Sequence, residues 1–160
     1  MGFYRDTLLW LGEKPWFKGR PAALTTAIDK RVYRLSKGRM SLMHAGGSDA
    51  LPTLLLTTTG AKSGLARSTP VLYLQEEGDA VLVVASNFGR ETHPAWSANL
   101  LADPRAHVEI HGHRRAVQAR RLDDAELEQR WERLLVIYPG WAKYRERTAR
   151  SFRAFVLEPA

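Results

Sequence analysis

Apolar residues along this chain recur first at helical spacing, then at strand spacing, then at helical spacing again. Leu24, Ile28, Val32 and Leu35 share one helical face, and "SKG" closes that helix with a basic residue and Gly38. Ahead of it, Leu8, Leu9, Trp10, Leu11, Trp16 and Phe17 are mixed with basic residues and interrupted by Pro15 and Pro21, which predicts a short amphipathic helix. From Met40 the blocks become short and β-rich: "MSLMHA", "PTLLLTTTG", "TPVLYLQEE" and "AVLVVASN", parted by Gly, Asp or Pro. "EEGD" reads as a hairpin connection, and the unbroken "VLVVA" predicts a strand covered on both faces.

The second half returns to helix. "HPAWSANLLADP" predicts a short helix with Pro94 in its first turn and a stop before Pro104. "AHVEIHG" and "RRAVQARRL" predict two strands joined at Gly112. Asp123 and Glu126 stand at capping-box spacing before a helix carrying Leu127, Trp131, Leu134, Leu135 and Tyr138 on one face and ending at Pro139. A last helical turn or two holds Trp141 and Tyr144, and "FRAFVLEP" closes as a strand. This order lacks the βαβ alternation of a parallel sheet. The expected fold is α+β: a barrel-like antiparallel sheet with N-terminal helices, one inserted helix and a C-terminal helical segment.

Composition narrows the chemistry. The 160 residues, 44% hydrophobic, suit one domain spanning 1–160, with residues 1–38 as its N-terminal helical segment. With no Cys there are no disulfides, thiolate metal sites or Cys nucleophiles, and a reducing cytoplasmic setting is expected. No apolar run reaches the roughly 20 residues of a membrane-spanning helix. The formal charge is +7, and 18 of the 24 basic residues are Arg, whose guanidinium fork binds phosphate and carboxylate bidentately.

That charge raises three further readings. "HRRAVQARR" could track nucleic acid, but no nucleic-acid motif accompanies it and its alternation reads as the wet face of an edge strand. His111 and His113 stand at the spacing of one strand face, yet no acidic or Cys cluster completes a metal site. Trp10, Trp16 and Phe17 beside Arg5, Lys14, Lys18 and Arg20 suit a peripheral contact of residues 1–20 with an anionic membrane, on the inner face of the cell membrane, or else a cap on the barrel.

The most pointed stretch is "LLLTTTGAKSGLARSTP", residues 54–70, where an apolar strand ends in Gly60 and then offers Lys62, Ser63 and Arg67. It is not a nucleotide P-loop, because Ala61 precedes the Lys and the next segment is strand-like and contains Pro70. A solvated polar turn is one reading. An anion site is the other, because Gly60 and Gly64 let backbone N–H groups approach a ligand beside three side-chain donors.

"LLLTTTGAKSGLARSTPVLY", "VVASNFGRETHPAWSANLLADP" and "YPGWAKY", in that order, resemble the landmark segments of the deazaflavin-dependent nitroreductase family, split β-barrel oxidoreductases of actinobacteria. The resemblance runs from about Lys37 to the C-terminus. It implies a site for coenzyme F420, an 8-hydroxy-5-deazaflavin with a phosphate and a glutamate tail, in preference to flavin mononucleotide. By the same resemblance Lys62, Ser63, Gly64 and Arg67 meet the phosphodiester and tail, followed along the cofactor by Ser68, Thr69 and Pro70. By the same resemblance Ala85, Ser86, Asn87, Phe88 and Gly89 would line the cofactor, and the following helix would supply Pro94, Trp96, Asn99 and Leu100 to it. Relatives commonly carry basic residues where this chain has Ala61 and Asn87, and Tyr where it has Ser97; Arg90 is close enough in sequence to replace one lost cation.

Tyr138, Trp141 and Tyr144 recur every three residues, the spacing of a core stripe, and the resemblance implies that they line an acceptor pocket above the ring. The implied activity is hydride transfer from reduced deazaflavin to a small electron-poor acceptor such as a quinone, a nitroaromatic or an activated enone. A binding protein of the same fold, holding flavin mononucleotide, haem, biliverdin or a fatty acid, is the alternative. The oligomeric state is left open.

Overall fold

The structure is a computed structural model and describes residues 51–160. The expected N-terminal helices, the "MSLMHA" strand and the membrane contact of residues 1–20 lie outside the described residues. Among the described residues six strands form one closed antiparallel barrel: β1 Thr53–Thr59, β2 Ala66–Gln75, β3 Val81–Ala85, β4 Arg105–Ile110, β5 His113–Arg121 and β6 Arg153–Pro159. Their order around the barrel is β1-β2-β3-β6-β5-β4. Helix α1 (Ala95–Ala102) is inserted between β3 and β4, and α2 (Asp124–Ile137) and α3 (Gly140–Glu146) lie between β5 and β6.

Two apolar cores follow from strand alternation. Leu54 and Leu56 of β1, Val81 and Val83 of β3, Val117 of β5 and Phe155 of β6 point into the barrel, where Trp96 and Leu100 of α1 join them. The intervening residues of β3 and β6, Leu82, Val84 and Val156, point outward into a second core with Leu127, Trp131 and Leu134 of α2 and Trp141 and Tyr144 of α3. Every residue of β3 is therefore buried, as its unbroken apolar run predicts. The α2 helix starts on the expected capping box: the Glu126 N–H donates to Asp123 Oδ1 at 2.7 Å, and the Asp123 N–H donates to Glu126 Oε2 at 3.0 Å.

Two expectations are corrected. β5 is not an edge strand, since it pairs with β4 on one side and β6 on the other, so its arginines are not there to guard an open edge. They are instead partly drawn into ion pairs, Arg120 with Glu126 and Arg115 with Asp79. His111 and His113 do not share a strand face, because His111 (φ 50) and Gly112 (φ 82) form the left-handed turn between β4 and β5.

Register places the expected site segments at one end. Thr59 opposes Ala66, Ala85 opposes Arg153 and Arg121 opposes Phe155. The turn after β1, the loop after β3 and the entry to β6 therefore emerge together. Between β2 and β3 the pairing covers only Tyr73–Gln75 against Val81–Val83; among the described residues no strand pairs with Ala66–Leu72 on that side. Pro70, which has no N–H, is tolerated there.

The barrel interior sets the stability. Phe155 is fully buried and meets Trp96 edge to face at 6.0 Å. Phe155→Ala should lower unfolding free energy by about 3–5 kcal/mol, read from chemical denaturation midpoints at unchanged denaturant slope.

Candidate functional site

The turn after β1 is closed by its own backbone. The N–H groups of Ser63 and Gly64 donate to Gly60 O at 3.1 and 2.7 Å, and Gly60 N–H donates to Leu65 O at 2.8 Å. A Cβ at Gly60 would lie 2.6 Å from Ser63 Oγ, and Gly64 has φ 66, so both glycines are required by the turn. Lys62, Ser63, Gly64 and Arg67 are all exposed. Among the described residues the Lys62 and Arg67 side chains make no ion pair or hydrogen bond. Further along β2, Ser68 shares a 2.9 Å hydrogen bond with Thr57, while Thr69 and Pro70 are half-buried beside the unpaired side of the strand.

The α1 residues build the support beneath that turn. Asn99 is buried; its Oδ1 accepts from Ala61 N–H at 3.0 Å and its Nδ2 donates to Thr58 Oγ1 at 2.9 Å. Its amide thus fixes the turn to the helix, while Trp96 and Leu100 pack in the barrel core. Pro94 caps the helix and accepts from Ser97 Oγ at 2.9 Å.

The loop after β3 carries the clearest backbone strain. Asn87 (φ 48), Phe88 (φ 58) and Gly89 (φ 69) are consecutive left-handed residues, and each of the two non-glycines costs about 1–2 kcal/mol in that region. A Cβ at Gly89 would lie 3.0 Å from the Tyr144 Cα and carbonyl oxygen, so the loop lies directly on α3. Asn87 spends its side chain on the loop itself, donating to Thr92 O at 2.8 Å.

What compensates the strain is Arg150, which sequence reasoning did not single out. Its Nε donates to Arg90 O at 2.7 Å, Nη2 to Ser86 O at 2.6 Å, and Nη1 to Ala85 O at 3.3 Å and His93 Nδ1 at 3.1 Å. A guanidinium has only donors, so His93 Nδ1 must be a lone pair and the neutral ring carries its proton on Nε2. Burial, then the positive charges of Arg150, Arg153 and Arg121, hold the His93 pKa below its ordinary value. Burial also works against the Arg150 charge, with Glu91 opposing that effect and Arg153 adding to it.

The three C-terminal aromatics meet this loop from the other side. Tyr138 caps the end of α2 and Pro139 caps the start of α3, so the three aromatics are spread over two helices and their junction and not over one continuous helix. The Tyr138 and Tyr144 hydroxyls are 2.8 Å apart, and Trp141 packs edge to face on Tyr138 at 5.7 Å. Trp141 Nε1 donates to Ser86 Oγ at 3.2 Å, and Phe88 meets Tyr144 at 6.2 Å. Trp141 and Tyr144 are buried; Tyr138 is half-buried.

The donor set fits a flat, anion-tailed group. Two exposed cations and a hydroxyl stand on a rigid turn, next to half-buried β2 backbone and the Ser86–Gly89 loop. Carboxylates are few at this end, and Glu91 is engaged by the Thr148 hydroxyl at 3.2 Å.

The depressed His93 pKa has a sign. The unfolded chain binds the proton more tightly, so stability is full above the unfolded value of about 6.5 and declines as pH falls through it toward the lower folded value. Denaturation midpoints measured from pH 7.5 to 5 should fall in the wild type and fall less in His93→Gln, whose amide oxygen can still accept from Arg150.

The sequence model of the F420H(2)-dependent quinone reductase family matches residues 27–159. The F420H(2)-dependent quinone reductase Rv1261c of Mycobacterium tuberculosis is 30% identical over 145 residues, 89% of this chain and 95% of that protein. A solved F420-H2 dependent reductase, FDR-A, superposes with a TM-score of 0.61 at 36% identity, covering 67% of this chain and 94% of its own. A solved domain-swapped dimer superposes with a TM-score of 0.62 at 31% identity over 82% of this chain and 97% of its own. With the split-barrel architecture, the cation-bearing turn and the matched length all in agreement, this chain belongs to the F420H(2)-dependent quinone reductase family.

Proposed function

We propose that this deazaflavin-dependent oxidoreductase, which passes a hydride from reduced coenzyme F420 to a quinone, binds cofactor and acceptor at the loop end of the barrel. The observation that carries this placement is the Gly60–Leu65 turn: among the described residues Lys62 and Arg67 make no ion pair, and they stand beside the side of β2 that no described strand pairs. When bound, the reduced deazaflavin supplies the hydride.

The chain's residues then have separable tasks. Lys62, Ser63 and Arg67 hold the phosphodiester and the tail carboxylates by charge-assisted hydrogen bonds, and Gly64, whose N–H is spent on Gly60 O, gives the turn its left-handed bend beside them. Ser68, Thr69 and Pro70 on β2, and Ala85 to Gly89 after β3, present backbone and apolar surface to the ring. Trp96, Asn99 and Leu100 act from beneath: the first and last pack the core, and Asn99 sets the turn through Ala61. Tyr138, Trp141 and Tyr144 wall the acceptor side and exclude water there. Tyr138, half-buried where Tyr144 is buried, is the hydroxyl we assign to the acceptor oxygen, where a donor gains strength as negative charge develops. Nitroaromatics and activated enones are electron-poor in the same sense and extend the acceptor class.

No helix among the described residues is long and apolar enough to cross a membrane. The aromatic and basic residues of segment 1–20 support a peripheral contact with the bilayer in which a lipophilic quinone is dissolved.

Lys62→Ala or Arg67→Ala should each weaken deazaflavin binding by about 10- to 150-fold, the equivalent of roughly 1.5–3 kcal/mol, with the thermal midpoint unchanged. Fluorescence titration checks this, and wild-type affinity in both variants would return the turn to solvent. For the acceptor side, Tyr138→Phe should keep cofactor affinity and slow quinone reduction in single turnover by up to about 10²-fold, more than Tyr144→Phe does. Equal rates in wild type and both variants would remove the hydroxyls from the chemistry.

A further inference from the structure

Across the barrel from the Lys62–Arg67 turn stands a second group of cations that the cofactor assignment does not use. In the order β1-β2-β3-β6-β5-β4, the β1–β2 junction and the β6–β5 junction lie on opposite sides of the closed barrel. Arg121 is directly opposite Phe155, and Arg153 lies two residues before Phe155 on the same strand. Since Phe155 points into the barrel, both arginines leave their strands on the inward face, at the loop end.

Arg121 is exposed and Arg153 is half-buried, and among the described residues neither side chain makes an ion pair or a hydrogen bond. Both lie near enough to His93 for their charges to act on its ring, and Arg153 acts on Arg150 as well. Four of the five Arg150 N–H donors go to the Ala85, Ser86 and Arg90 carbonyls and His93 Nδ1, and the His93 Nε2–H stands as a further donor beside them. The carboxylate whose charge acts on Arg150, Glu91, accepts from Thr148. Cations gathered at one rim repel one another, and a bound anion relieves that repulsion while meeting forked donors.

We infer that Arg121, Arg153 and the His93 Nε2–H form a second oxyanion site at the barrel rim, opposite the cation-bearing turn, for a carboxylate or phosphate group. The group has two sources: the far end of the cofactor's carboxylate tail, or an acid group on the acceptor.

The test uses inorganic phosphate with the cofactor-free protein at constant ionic strength, so it stands or falls independently of the cofactor reading. Phosphate should shift the His93 ring signals in a saturable way, observed by NMR and assigned with His93→Gln, and should raise the His93 pKa. Arg121→Gln and Arg153→Gln should each weaken that binding by about tenfold, Arg121→Lys should weaken it less, and Lys62→Ala should leave it unchanged. A His93 response no larger with phosphate than with chloride, or full saturation in both Gln variants, would overturn the site. Two arms then assign the occupant. If the cofactor tail reaches the rim, the Gln variants weaken binding of intact F420 and not of its 8-hydroxy-5-deazaflavin chromophore lacking phosphate and glutamates. If the acceptor supplies the acid, the same variants raise KM for a carboxylated naphthoquinone and spare a neutral one.

Discussion

One guanidinium holds the loop end of this barrel together. Arg150 reaches from the approach to β6 and is gripped by three backbone carbonyls and an imidazole nitrogen, with no carboxylate among the described residues in hydrogen-bond contact. A lysine could not replace it, because the planar fork donates in several directions at once where an ammonium is a point charge. The loop it grips contains two non-glycine residues in left-handed conformation, which only a surrounding network of this kind keeps in place. Ser86, on that loop, is also where α3 attaches through Trp141, so the wall of aromatics takes its position from the same anchor.

A second, neutral anchor works on the other side of the site. Asn99 spends both ends of its amide on β1 and the following turn, and its neighbours Trp96 and Leu100 fill the barrel. The helix thereby converts core packing into the position of an exposed loop. Rigid support below and exposed donors above are what a site needs if binding is not to be spent on ordering the protein.

Local features of the fold were readable from the sequence, and distant ones were not. The Asp123–Glu126 capping box is a contact between residues three apart, and the burial of β3 is written in an apolar run with no polar face. The turn bearing Lys62 and Arg67 stood out because glycines and donors crowd into a few residues. The role of Arg150 could not stand out in the same way: its carbonyl partners are backbone atoms of the 85–90 segment, 60 to 65 positions earlier, and leave no side-chain signature. The edge-strand reading of β5 failed for a related reason, since its second neighbour, β6, comes only after two helices. The contacts of Asn99, expected from the family resemblance at the cofactor, are distant in the same way: its polar atoms meet Thr58 and Ala61, 41 and 38 positions earlier.

The place of β6 has a consequence for how the molecule is made. It is the last strand in chain order, yet it lies between β3 and β5 and pairs with both. As the polypeptide leaves the ribosome, β3 and β5 emerge with open hydrogen-bonding sides that nothing earlier in the barrel fills. Closure waits for Arg153–Pro159 to thread into that gap, a long-range event that demands loop-closure entropy before any contact compensates it. Arg150 stands only three positions ahead of β6, so the contact that fixes the loop end of the barrel is bound in sequence to the strand that seals the wall.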